Sequence, residues 1–181
     1  MKEENNNKKV YILLMHSGTI PAKVIKFCTK YNYSHVALSL DKSCTSIYSF
    51  GRKKLNNPLN GGFVIENKDG KFFNKFNKTM CRIYELDVTD EEYAKIETKL
   101  DNMTKEKDIY KYDFLGLGLR VFHIPVSFKN RYVCSSFVAS IIEHAGIYKF
   151  NKKYIFVKPK DFETLNANMI YEGKYKEYIG R

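Results

Sequence analysis

Two residues in this sequence could together perform nucleophilic chemistry: Cys134 in YVCSSFVASIIEHAGI and His35 in YSHVALSL. Cys134 falls in the first turn of a helical pattern, on the face shared by Phe137, Val138, Ile141 and Ala145, so its thiol is expected to point toward the protein body. Backbone amides at a helix N-terminus favour negative charge, which predicts a lowered thiol pKa and a larger thiolate fraction for attack. The plainer account of such a residue is a small buried hydrophobe at a helix start. A cysteine nucleophile needs a base, and His35, opening a strand after the polar pair Tyr33 and Ser34, is the best placed of the four histidines. His144 lies on the cysteine's own helix, about 15 Å of rise away. His16 and His123 both precede turn-like segments.

These two residues need a strand and a helix to hold them, and the pattern supplies both. Residues 10–15 read as a short buried strand, HVALSL and TSIYSF as an antiparallel hairpin, and GFVIE and CRIYELDV as two further strands. A helix is expected to begin at Pro21 and to bury Val24, Ile25 and Cys28. A second starts after Thr89, which forms a capping box with Glu92, and carries Tyr93, Ile96, Leu100 and Met103 as one stripe to about Lys105. Two more span residues 112–122 and 132–145, the last closed by Gly146. Strands in front and helices behind make an α+β domain, expected over residues 9–181 behind a polar tail of residues 1–8. The segment DFLGLGLRVFHIPV is expected to pack in the core or to wall a pocket for an acyl chain or apolar group, with core packing the plainer account.

Composition narrows the functional classes. The chain of 181 residues carries 31 Lys and Arg against 20 Asp and Glu, a formal net charge of +11 that favours something anionic: nucleic acid, phosphate or an acidic lipid surface. Nucleic-acid binding is not expected, because helix-turn-helix, zinc-finger and aromatic RNA-binding signatures are missing. The four cysteines, Cys28, Cys44, Cys81 and Cys134, form no CxxC pair or zinc-ligand spacing and read as reduced thiols, with Cys44 beside a hairpin turn where it could be exposed. The apolar run YILLM is too short for a signal peptide core and the stretch 114–126 too interrupted to span a bilayer, so a cytoplasmic location without a transmembrane segment is expected.

YSHVALSL and YVCSSFVASIIEHAGI, in this order, resemble the permuted NlpC-type papain-like cysteine hydrolases, a family that includes the YaeF and YiiX group of amidases and is related to the lecithin:retinol acyltransferase fold. In that family the histidine strand precedes the cysteine helix, the reverse of papain's order. IYSFGRK, GGFVIE, KYDFLGLG and VKPKDF extend the resemblance over most of the chain. It implies a circularly permuted papain-like fold with an antiparallel sheet packed on helices, and an amidase, peptidase or acyltransferase acting through Cys134 and His35 on a peptide, amide or lipid-like substrate. No cofactor or metal is implied. The family's third polar residue, often Glu on the strand after the histidine, falls near Ser49, with Glu66 a second candidate and Tyr48 a third. The alternative is a module on the same fold that binds such a ligand without turnover.

Overall fold

The computed structural model describes residues 8–18, 31–54 and 57–180. The expected helix from Pro21, Cys28 within it and residues 1–7 of the expected tail lie outside these. Eight strands form one sheet: β1 (Lys8–His16), β2 (His35–Ser39), β3 (Ser46–Lys54), β4 (Asn57–Asn67), β5 (Met80–Val88), β6 (Lys111–Tyr112), β7 (Arg131–Tyr132) and β8 (Asn168–Lys174). Among the described residues four α-helices accompany them: α1 (Lys71–Lys75), α2 (Asp90–Lys105), α3 (Phe114–Val121) and α4 (Cys134–Ala145). The strand order is β7-β6-β4-β3-β2-β1-β5-β8, antiparallel throughout except for the parallel pair β6 and β7. The described chain is therefore of the α+β class.

The run VYILLM in β1 is buried at every position, because both faces of the sheet are covered. One face carries Val10, Ile12, Leu14, Val36, Leu38 and Phe50 and packs against α2 and α4. The other carries Tyr11, Leu13, Met15, Ala37 and Ile47 and packs against Phe73 of α1 and the C-terminal Tyr175 and Tyr178.

Two helix signals appear as expected. Thr89 Oγ1 accepts from the Glu92 amide at 3.2 Å and the Thr89 amide donates to Glu92 Oε2 at 2.8 Å, which fixes the start of α2 and turns Ile96, Leu100 and Met103 inward. Gly146 ends α4 at φ 89°, a conformation that favours glycine.

The third helix departs from expectation. α3 forms between Asp113, whose carboxylate caps the Gly116 amide at 3.0 Å, and Phe122. Five apolar side chains of α3 and the turn after it do not enter the core, however: Phe114, Leu115, Leu117, Phe122 and Ile124 are exposed. The single charge of α3 is instead turned inward, where Arg120 pairs with the fully buried Asp113. An apolar pattern records hydrophobicity and says nothing of what covers it. Among the described residues no helix is long and apolar enough to cross a membrane.

Candidate active site

Cys134 is the first residue of α4, and Phe137 three residues on anchors that helix to the sheet. Phe50 of β3 stands 5.1 Å from Phe137 and 5.2 Å from Tyr132, ring centroid to ring centroid, so aromatic packing grips the chain on both sides of the cysteine. Ser135 and Ser136 sit buried in the first turn because each hydroxyl has a backbone partner. Ser135 Oγ donates to Val157 O at 2.6 Å, and Ser136 Oγ accepts from the Val133 amide at 3.0 Å.

The neighbouring residue of β3, Ser49, holds the histidine. Strands β2 and β3 share a single register pair, Leu38 with Tyr48, and beyond it the ladder opens. Ser49, fully buried, fills the opening: its hydroxyl donates to Val36 O at 2.6 Å and meets His35 Nε2 at 3.1 Å. A hydroxyl has one proton, and Val36 O can only accept. Ser49 therefore accepts from Nε2–H, which leaves Nδ1 of His35 as the lone-pair nitrogen. The imidazole lies over Gly51, with Cε1 3.9 Å from where a Cβ would stand.

The Cys134 sulfur meets the same stretch of β2 from the helix side. Backbone N–H groups of Val36, Ser135 and Cys134 itself face it and favour the thiolate. Burial acts the other way and is the larger effect, so the thiol pKa lies above its ordinary value. This corrects the expected lowering: a helix N-terminus stabilises a thiolate only as far as desolvation allows. His35 is shifted oppositely, pushed down to about 4 by burial and secondarily by the Arg52 cation. The resting pair is thus a neutral thiol and a neutral imidazole. Among the described residues no hydrogen bond joins the Cys134 sulfur to His35. What the fold brings together is the sulfur and the amide of the residue after His35, on one side, and His35 and Ser49, on the other.

The other two candidates for the third position stand elsewhere. Tyr48 lies on the sheet face covered by α2, where burial first and then Asp101 raise its pKa. Glu66 pairs with Ile47 on the far side of β3, and burial raises its pKa to about 7 against the opposing influence of Arg52.

One residue coupled to the thiol was not expected from the sequence. Tyr112 of β6, the strand laid against β4, has a phenol whose pKa is raised, chiefly by burial and next by electrostatic coupling to Cys134. Two glycines permit this approach: a Cβ at Gly61 would lie 2.8 Å from Tyr112 Cβ, and one at Gly62 2.4 Å from Tyr110 O. The tandem glycine in NGGF was the available signal.

Cys44 and Cys81 are buried against the opposite face of the sheet, and burial pushes both thiols up to about 12. The exposure expected for Cys44 beside its turn is thus corrected, since Tyr175 and Tyr178 fold over that turn and donate to Cys44 O and Lys42 O. His16 Nδ1 lies 3.4 Å from Ser34 Oγ, and His123 and His144 are exposed. Among the described residues no group of three His, Cys, Asp or Glu side chains could hold a metal ion. No protein-family model, curated protein or solved structure matches the chain.

Proposed function

We propose that the chain is a cysteine hydrolase or acyltransferase of the permuted papain-like type, cleaving an amide or ester through Cys134 and His35. The observation that carries this reading is the meeting at β2. The sulfur at the head of α4 lies against the Val36 amide, while the adjacent His35 is tethered by Nε2 to Ser49 and keeps Nδ1 as an unprotonated base.

In this chemistry Nδ1 takes the Cys134 proton as the sulfur attacks the carbonyl carbon, and the C=O electrons move to oxygen. Backbone amides at the start of α4 are the donors available for that oxyanion. Collapse breaks the C–N or C–O bond, and the imidazolium returns its proton to the leaving group. Water hydrolyses the thioester, or an amine or alcohol takes the acyl group. Ser49 acts through His35 as a positioning residue, holding the tautomer without supplying a charge. Nucleophile and base need not be in contact before substrate binds.

The experiment is turnover of a panel of acyl amides and esters by the wild type and by Cys134→Ser, His35→Ala, Ser49→Ala and Tyr112→Phe. The reading expects turnover that Cys134→Ser and His35→Ala abolish. Because His35 is pushed down to about 4, kcat/KM should hold through pH 6.5 and fall only as the pH approaches 4. Saturable binding of a panel member with no turnover in any protein would favour instead a ligand-binding module, the reading to which a raised thiol pKa lends weight.

A further inference from the structure

From Phe114 to Ile142 the chain contains no acidic residue. Within that stretch α3 and the turn after it hold the exposed side chains Phe114, Leu115, Leu117, Phe122 and Ile124, with Phe122 76% and Leu115 61% exposed. Soluble surfaces carry single apolar residues freely, but five within eleven positions form a patch that calls for a covering partner. The one charge that would interrupt it, Arg120, is drawn under the helix by the buried Asp113.

The chain on either side of this patch is cationic. The parallel register of β6 and β7 sets exposed Lys111 directly beside exposed Arg131, with exposed Lys129 two residues before it. Among the described residues none of these three forms an ion pair with an acidic side chain. Adjacent like charges on paired strands repel, and an anion between them removes that repulsion.

We infer that α3 and its following turn are an interfacial anchor for an anionic lipid bilayer, the apolar side chains entering the acyl boundary while Lys111, Lys129 and Arg131 meet the headgroups. Charge complementarity decides the occupant. A second copy of a chain of net charge +11 would bring cations against cations, whereas an anionic leaflet attracts both the local cluster and the whole molecule. Exposed apolar side chains in the same stretch of chain as exposed Lys and Arg match the two-part recognition of such a surface. The anchor adjoins the candidate active site, since Lys111 precedes Tyr112 and Arg131 stands three residues before Cys134. Binding to vesicles stands apart from turnover, so it is read whether or not the proposed chemistry holds.

The chain contains no tryptophan, which makes Phe122→Trp a unique optical reporter. This variant, the wild type, Leu115→Glu/Phe122→Glu, Lys129→Glu/Arg131→Glu and the distant control Met169→Glu are mixed with vesicles of phosphatidylcholine alone or with phosphatidylserine. Sedimentation reads binding, and circular dichroism checks that each variant is folded. The expected results are binding to phosphatidylserine vesicles that falls about tenfold or more in either double variant but not in the control. The Phe122→Trp emission should shift to the blue on those vesicles and be quenched by acyl-brominated lipid. Emission that stays unchanged while sedimentation follows charge alone would overturn the anchor in favour of surface adsorption. Vesicle binding absent in every protein, together with a wild-type dimer that Leu115→Glu/Phe122→Glu dissolves, would overturn it in favour of a second copy of the chain.

Discussion

His35 and Glu66 titrate in opposite senses, and their effects on stability should nearly cancel in the wild type. The pKa of His35 falls from 6.5 to about 4 on folding, so between those values the unfolded chain binds the extra proton. Its contribution is fully present above pH 6.5 and is lost as the pH falls toward 4. Glu66 rises from 4.5 to about 7, so the folded chain binds the extra proton, and stability is lost as the pH rises across that window. At about 1.4 kcal/mol per pH unit, each shift has a ceiling of about 3 kcal/mol. Both side chains keep part of their surface in water, which reduces each to roughly 2 kcal/mol. Wild-type stability should therefore change little between pH 4.5 and 6.5. His35→Gln removes one arm, and stability should then fall by about 2 kcal/mol from pH 4.5 to 7. Glu66→Gln removes the other, and stability should rise by a similar amount from pH 4 to 6.5. Urea unfolding at half-unit pH intervals reads all three curves. Variants whose curves parallel the wild type would refute the opposed titrations and with them the neutral resting state of His35.

Other outcomes follow from the same contacts. Arg52→Gln should raise the His35 titration midpoint in an NMR pH series, because the Arg52 cation helps to hold it down; a midpoint that falls or stays fixed contradicts this. Ser49→Ala leaves the Val36 carbonyl without its hydroxyl and should cost about 1–3 kcal/mol by denaturant unfolding, against nothing measurable if the bond is incidental. Phe50→Ala should cost about 3–5 kcal/mol, since it vacates the contact between α4 and the sheet. Iodoacetamide labelling against pH should place the Cys134 midpoint above that of an ordinary thiol; a midpoint below 8 would restore the lowered thiol that the helix position alone predicts.

Where local pattern and tertiary packing agree, the sequence was a good guide. The capping box at Thr89, the glycine ending α4, the alternation in HVALS and the position of Cys134 at a helix start all depend on near neighbours in the chain. The meeting of His35 with Ser49 was legible because a short hairpin limits which residues can face one another. Three features were not legible, each because it is set by elements distant in sequence. The burial that outweighs the helix amides at Cys134 comes with the packing of α4 on β2 and β3. The approach of Tyr112 depends on β6 crossing the Gly61 and Gly62 pair of β4. The outward face of α3 follows from where Asp113 and Arg120 pair, which periodicity cannot show.

The central claim is that Cys134 is a nucleophile served by His35, and trapping of an acyl-enzyme tests it most directly. The protein is incubated with a series of activated p-nitrophenyl esters of short and long acyl chains, quenched in acid and mapped by peptide mass spectrometry. The account predicts acyl mass on Cys134 alone among the cysteines in the wild type, none in Cys134→Ser, and slower acylation in His35→Ala. Wild-type protein that carries no acyl group on Cys134, or carries it equally in His35→Ala, would contradict the account.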